Sequence, residues 1–160
     1  MNQTEIISRR GTETRREDLD RITGAIIDTA ITLHRDLGPG LLETVYEAIL
    51  EKMLISRGFV VERQKSVVFD YGGMTFDDGL RIDLLVEGCV VVELKSMERL
   101  APVHGKQVLT YLKLMKLPVG LLINFGGATL KEGLRRIVND FPSKSPELSA
   151  DLPGSMSLPE

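Results

Sequence analysis

One apolar stretch that contains charged side chains constrains the fold of this chain more than any other feature. It runs from Arg81 to Lys95, and most of its residues are β-branched or otherwise apolar, as in buried strands. Glu87 and Gly88 interrupt it in the middle, where glycine tolerates the positive φ of a tight turn. The stretch therefore predicts a hairpin of two largely buried strands.

Three charged side chains lie inside this predicted hairpin. Glu93 and Lys95 are two residues apart, so they point to the same face of their strand. If the loop has an odd number of residues, such as Glu87 to Cys89, Asp83 lies directly across from Glu93. An even loop would shift the register by one and send Asp83 to the opposite face. We predict the odd loop, which places all three charges on one face.

Charges that converge inside apolar material need partners, because an isolated buried charge costs roughly several kcal/mol. One interpretation is a lysine–carboxylate pair at a solvated edge. The other is a divalent-cation site, since carboxylates are the hard ligands that Mg²⁺ or Mn²⁺ prefers and a lysine can orient or deprotonate an attacking water. A cation would also hold Asp83 and Glu93 together against their mutual repulsion. The residues alone leave both interpretations open.

Three motifs in order carry a resemblance to a known family. An Asp followed about ten residues later by Glu-x-Lys is similar to the core of the PD-(D/E)XK nuclease superfamily. Residues 40–46, GLLETVY, fit the signature of the GxxExxY protein family within it, and residues 107–111, QVLTY, fit a Q-x-x-x-Y helix motif of exonuclease-like branches. The resemblance spans roughly Leu19 to Asn139.

This resemblance implies an α/β restriction-endonuclease-like fold, with a mixed β-sheet of four to five strands flanked by helices. It also implies metal-dependent hydrolysis of phosphodiester bonds in nucleic acid, with DNA favoured over RNA. Asp83 and Glu93 would hold Mg²⁺ or Mn²⁺, and Lys95 would activate the water. Glu43 would bind a second metal ion or a metal-bound water.

The other motif residues are expected to serve the substrate. Gln107 and Tyr111, four apart on a predicted helix, would position it. Tyr46 is predicted to position substrate too, with packing against the sheet as the alternative. His104 is predicted to be a helix-start or surface residue, and His34 has still less to indicate a catalytic role.

The pattern along the chain predicts a flexible arm over residues 1–17, a nuclease-like domain over 18–140 and a flexible tail over 141–160. Within the domain, apolar spacing and turn residues predict a succession of elements. These are helices over 18–37, 41–57 and 100–116, strands over 59–70, 74–76 and 119–125, the hairpin, and a last strand or short helix over 130–138. On the second helix, the predicted core face consists of Leu42, Val45, Ile49, Met53 and Leu54, while Glu43, Tyr46 and Glu47 share another face.

Composition and net charge limit the kinds of protein and of function that the chain can have. A chain of 160 residues with one cysteine, Cys89, fits a single domain without an internal disulfide in the cytoplasm, and no apolar run predicts a membrane span. The net charge of −3 favours an alternative function, a nuclease-fold protein that no longer cuts and serves as a binding or dimerisation module. The sequence leaves a homodimer open. Hydrolysis of a sugar or ester by Glu43 and Glu93 has little support, because Trp is absent.

Overall fold

A five-stranded sheet carries three helices in this structure, a computed structural model that describes residues 3–140. The predicted tail over 141–160 lies outside the described residues. The elements are α1 (Gln3–Leu37), α2 (Glu43–Ser56), β1 (Val61–Tyr71), β2 (Met74–Val86), β3 (Val90–Lys95), α3 (Pro102–Met115), β4 (Val119–Asn124) and β5 (Leu134–Val138), with one 3₁₀ turn at Lys131–Gly133 before β5.

The sheet is mixed, and its strands lie in sequence order from β1 to β5. Only β3 and β4 are parallel to each other, and α3 connects them. The other neighbours are antiparallel, as hairpins and short returns allow. The predicted α/β fold with a mixed sheet flanked by helices is therefore confirmed.

The two faces of the sheet bury separate apolar clusters. Helices α1 and α2 cover one face, where the cluster includes Leu84, Val92 and Leu94. Helix α3 covers the other face, where Val91 and Leu122 pack against Val108, Tyr111 and Leu112. Strand β3 thus alternates between two covered faces, which explains why its sequence is an almost unbroken apolar run.

Helix α1 is longer than its apolar stripe predicts. The stripe itself is correct, because Ile22, Ile26, Ala30 and Leu33 are buried. The predicted start at Asp18 is wrong, since the helix begins at Gln3 and includes most of the predicted arm. Glu and Arg, frequent in this stretch, extend a helix at little cost without an apolar face. Within residues 3–140, no helix combines the length and the apolar composition that crossing a bilayer needs.

Strand β2 is longer than the sequence predicts. The short strand predicted over 74–76 and the first strand of the predicted hairpin are one continuous strand, Met74–Val86. Strand β1 pairs along it with a register shift between Val67 and Phe69. Asp77 and Asp78 lie at this register shift, where neither has a paired residue in β1.

Helix α2 is rotated relative to its predicted core face. Leu42 is 73% exposed and Val45 is 38% exposed, whereas Tyr46 and Leu50, outside the predicted face, are fully buried together with Leu54, which was predicted correctly. The helix therefore turns its Tyr46 side, not its Leu42 side, toward the sheet. This rotation also buries Glu47, and it changes which acidic residue approaches the predicted site.

Candidate active site

The hairpin between β2 and β3 has the predicted odd loop. Its paired residues are Leu84 with Val92, Leu85 with Val91 and Val86 with Val90. These pairs leave a loop of Glu87, Gly88 and Cys89, in which Glu87 and Gly88 have φ of 52° and 64°. Continuing the same register places Asp83 opposite Glu93, as predicted.

The regular pairing of β2 with β3 stops just before Asp83. The last pair is Leu84 with Val92. Beyond it, Oδ2 of Asp83 accepts a hydrogen bond from the Leu94 backbone amide at 2.8 Å. The backbone nitrogen of Asp83 lies 3.5 Å from Oε1 of Glu93. The aspartate side chain thus lies between β2 and β3 where their regular pairing has ended, and its carboxyl group is close to Glu93.

The electrostatics of Asp83 and Glu93 reflect this proximity. Glu93 is 5% exposed. Burial, then the charge of Asp83 and a hydrogen bond between the two carboxyl groups, raise the pKa of Glu93 to about 8. Burial also raises the pKa of Asp83, although the Leu94 amide opposes that shift. At neutral pH the pair therefore retains a proton, which a cation could replace.

Lys95 completes the group that the sequence predicted. It is half-buried at the end of β3. Its positive charge lowers the pKa of both Asp83 and Glu93, so it lies near enough to act on them. Within the described part of the chain it forms no ion pair, which leaves its ammonium group available to another anion.

A buried asparagine that the sequence analysis missed fixes the backbone beyond Lys95. Oδ1 of Asn124 accepts hydrogen bonds from the Met97 amide at 3.0 Å and from the Gly126 amide at 3.1 Å. Its Nδ2 donates to the Met97 carbonyl at 2.8 Å. A Cβ at Gly126 would lie 2.2 Å from the Met97 carbonyl oxygen. The sequence Asn-Phe-Gly-Gly over 124–127, which begins at the last residue of β4, was the signal that could have identified this asparagine.

The Gln107–Tyr111 pair of α3 lies beside the two carboxyl groups. Nε2 of Gln107 donates to the Tyr111 hydroxyl at 2.7 Å. Burial, and then the charge of Glu93, raise the pKa of Tyr111, and the charge of Asp83 adds to this shift. Because its oxygen accepts from Gln107, the Tyr111 hydroxyl keeps its own proton for another acceptor. The placement agrees with a substrate-positioning role, which stays a prediction.

Helix α2 contributes Glu47 to this region. Glu47 is 2% exposed, and Arg63 Nε donates to its Oε1 at 2.6 Å. Gln64 Nε2 donates to both Glu47 oxygens at 2.9 Å and lies 3.4 Å from Oδ1 of Asp83. The charge of Glu47 also raises the pKa of Asp83. Glu47, Arg63 and Gln64 are the site residues that the sequence analysis did not select.

Glu43, the acid predicted from α2, lies one turn before Glu47. It is half-buried in the first helical turn. The Ser96 hydroxyl donates to the Leu41 carbonyl at 2.6 Å, so α2 begins next to the end of β3. The carboxyl group of Glu43 forms no hydrogen bond or ion pair with another side chain in the described region. Its predicted role as a ligand of a second metal ion stays a prediction.

The substrate-positioning role predicted for Tyr46 needs correction. Its side chain is 0% exposed and stacks on Phe125, with 4.4 Å between ring centroids. Its hydroxyl donates to the Gly38 carbonyl and accepts from the Leu41 amide at 3.3 Å. A ring enclosed in this way does not touch a substrate. Tyr46 instead packs against the sheet and fastens the α1–α2 connection.

We expect Tyr46→Phe to lower the free energy of unfolding by about 1 kcal/mol, because it removes buried hydrogen bonds but keeps the ring. Urea unfolding measures this change. Tyr71→Phe, at a residue that is 72% exposed, is the control and should leave stability unchanged. A raised KM for nucleic acid with unchanged stability in Tyr46→Phe would restore the substrate-positioning role.

The two histidines have structural partners. Nδ1 of His104 accepts a hydrogen bond from the Ala101 amide at 3.0 Å, which confirms the predicted helix-start residue. Nε2 of His34 lies 3.0 Å from the Gly127 carbonyl oxygen. Neither contact indicates a catalytic base.

Comparison with protein families agrees with this arrangement. The family model of the PD-(D/E)XK nuclease superfamily matches residues 20–137. The chain belongs to the PD-(D/E)XK nuclease superfamily. The match includes every side chain placed above around the two carboxyl groups, while membership of the GxxExxY family stays a prediction. No curated protein and no solved structure matches the chain.

Nucleases of this superfamily generally use divalent metal ions. The oxygen atoms around Asp83 and Glu93 can therefore be compared with the ligands that such an ion requires. Among residues 3–140, no three His, Cys, Asp or Glu side chains converge as a ready-made metal cage. Mg²⁺ usually binds through one or two carboxylates, retained waters and substrate phosphates. Asp83 and Glu93 fit that description as a pair of neighbouring carboxyl groups, and backbone carbonyl groups are available beside them.

Proposed function

We propose that this PD-(D/E)XK protein is a metal-dependent nuclease that hydrolyses phosphodiester bonds, with DNA as the favoured substrate. The observation that carries the proposal is the approach of Asp83 to Glu93, whose Oε1 lies 3.5 Å from the Asp83 backbone nitrogen, with Lys95 near enough to lower the pKa of both carboxyl groups. Such an arrangement is unfavourable for folding, because burial and mutual repulsion both oppose ionisation. A bound cation would relieve this cost, and membership of a nuclease superfamily indicates what the cation serves.

Asp83 and Glu93 would hold Mg²⁺ or Mn²⁺, with the backbone carbonyl of Leu94 as a further ligand. The metal ion, when bound, supplies Lewis-acid polarisation of a phosphate oxygen and lowers the pKa of a bound water. The Leu94 amide already orients one oxygen of Asp83, which keeps the carboxyl group aimed at Glu93. The proposal concerns a single chain and assigns no role to a homodimer.

Gln107 and Tyr111 would position the scissile phosphate. Gln107 is exposed on α3, and one of its two amide N–H groups is free of the bond to Tyr111. The Tyr111 hydroxyl can donate its proton to a phosphate oxygen or to a bound water. Both donors approach from the α3 side, where Glu93 lies.

Lys95 would orient or deprotonate the attacking water and offset the charge that develops on phosphorus. We expect Lys95→Met to reduce cleavage by about 10²–10³-fold and to leave Mn²⁺ binding intact, because the lysine is not a ligand. Initial rates and calorimetric titration with Mn²⁺ measure the two effects. Lys52→Met, on the exposed side of α2, is the control. Unchanged cleavage in Lys95→Met would refute this role.

The direct test of the proposed function uses the wild-type protein. It is incubated with single- and double-stranded DNA and with RNA, in Mg²⁺, in Mn²⁺ and in EDTA. Cleavage that requires the metal ion supports the proposal, and the preferred substrate shows whether DNA is correct. No cleavage of any substrate, together with a Tm that Mn²⁺ does not raise, would refute it, because a working site is stabilised by the ion it binds.

The net charge of −3 favours the second candidate, a nuclease-fold protein that no longer cuts and serves as a binding or dimerisation module, because an acidic chain repels the phosphates of nucleic acid. That candidate predicts neither metal-dependent cleavage nor strong binding to nucleic acid. The same incubations distinguish the two functions when a binding measurement is made in parallel.

A further inference from the structure

Gln64 has a backbone conformation that side chains rarely adopt. Its φ is +50°, in the left-handed region, although it lies within strand β1. Pairing with β2 is regular on both sides, through Arg63 with Leu84 and Lys65 with Ile82. The distortion is therefore confined to one residue, directly across from Asp83. A strained residue of this kind persists only where the surrounding structure requires it.

The left-handed backbone of Gln64 places its side-chain amide between two acidic residues. Its Nε2 lies 2.9 Å from each oxygen of Glu47 and 3.4 Å from Oδ1 of Asp83. One neutral amide thus connects the buried acid of α2 to the acid of β2. Arg63 supplies the charge that balances Glu47, so the solvation of Glu47 does not by itself explain why a strained glutamine is also present.

We propose that Gln64 is a positioning residue, which orients Asp83 for metal binding and anchors that orientation to α2 through Glu47. The inference rests on the proposed function and goes beyond it by assigning a role to a residue outside the metal ligands. Oδ1 of Asp83 faces the Gln64 amide and Oδ2 accepts from the Leu94 amide. Each oxygen keeps a second lone pair for a cation. A neutral donor holds the carboxylate without competing with the cation for its charge.

A purely structural role predicts a different response to mutation. Gln64→Gly removes the amide but suits the left-handed backbone, so its loss of stability is partly offset. Gln64→Met keeps the size and the strain and removes the donors. If Gln64 only stabilises the fold, Mn²⁺ affinity should stay near the wild-type value in both variants. If Gln64 positions Asp83, both variants should lose affinity whatever their stability.

The experiment is calorimetric titration of the folded protein with Mn²⁺ at neutral pH. We expect Gln64→Gly and Gln64→Met to weaken Mn²⁺ binding by about 10–100-fold, the range found when a partner of a metal ligand is removed. The control is Lys116→Gly, at another non-glycine residue with a left-handed φ, +55°, at the end of α3. It should relieve strain in the same way and bind Mn²⁺ as the wild type does.

Cleavage kinetics add a second measurement. The two Gln64 variants should show a lower kcat at fixed Mn²⁺ with little change in KM for nucleic acid. Wild-type affinity for Mn²⁺ in both Gln64 variants would overturn the inference and leave the proposed function intact. Failure of the wild-type protein itself to bind Mn²⁺ would overturn both.

Discussion

Asp83→Asn is expected to lower metal-dependent cleavage by at least about 10³-fold, because it removes a charged ligand from the proposed metal site. The same change should raise the free energy of unfolding of the metal-free protein. Asn can still accept the hydrogen bond from the Leu94 amide, yet it carries no charge to repel Glu93 or Glu47. Activity and stability should therefore change in opposite directions, which a variant that merely misfolds cannot do.

Initial cleavage rates in Mn²⁺ and urea unfolding in EDTA measure these two changes. Asp78→Asn is the matched control, since Asp78 lies on the same strand with 81% of its side chain exposed and only Arg81 nearby, at 3.8 Å. It should change neither quantity. Cleavage by Asp83→Asn at a rate within threefold of the wild type would contradict the metal-ligand role.

The hairpin and its register follow from local sequence, which is why they could be predicted. A three-residue loop between two apolar runs fixes which residues face each other across the hairpin. The number of residues in the loop therefore predicts that Asp83 lies opposite Glu93. Helical spacing likewise places Gln107 and Tyr111 on one face of α3, but the resemblance to the Q-x-x-x-Y motif is what selected them. These predictions needed no knowledge of how distant elements pack.

Glu47 could not be predicted as a site residue from the sequence, because its position near Asp83 depends on how α2 is rotated about its axis. The sequence offers two apolar faces of similar quality on this helix, one through Leu42 and one through Leu50. The stacking of Tyr46 on Phe125, which is distant in sequence, selects the second face. That choice buries Glu47 against Arg63 and leaves Glu43 at the start of the helix.

Gln64 and Asn124 escaped prediction for a related reason. A glutamine in a strand normally lies on a solvent-exposed face, and no local sequence pattern predicts the left-handed backbone conformation of Gln64. Asn124 follows a buried run and resembles a residue of the next turn, but it binds a loop that precedes α3 in the chain. In both cases the partner belongs to another element, so only the folded arrangement shows the role.

The metal-free protein should become less stable as pH rises toward 8.5, because Glu93 has a raised pKa. Its usual value is 4.5, and burial with the charge of Asp83 raises it to about 8 in the folded state. Between these two values the folded protein binds more protons than the unfolded chain, so the free energy of unfolding falls as pH rises. From about pH 6 to about pH 8.5 we expect a loss of about 2–3 kcal/mol. Urea unfolding in EDTA at several pH values measures it.

Glu93→Gln should abolish most of this pH dependence, because glutamine stays neutral, whereas Glu98→Gln in the exposed loop after β3 should retain it. Saturating Mn²⁺ should also abolish the slope for the wild type. The ion displaces the proton from the folded protein, so the metal-bound folded state and the unfolded chain then carry the same number of protons at this site. An equal slope in Glu93→Gln and in the wild type would show that the buried carboxyl pair does not hold the proton. A wild-type slope that Mn²⁺ leaves unchanged would show that the ion does not bind where the proton does.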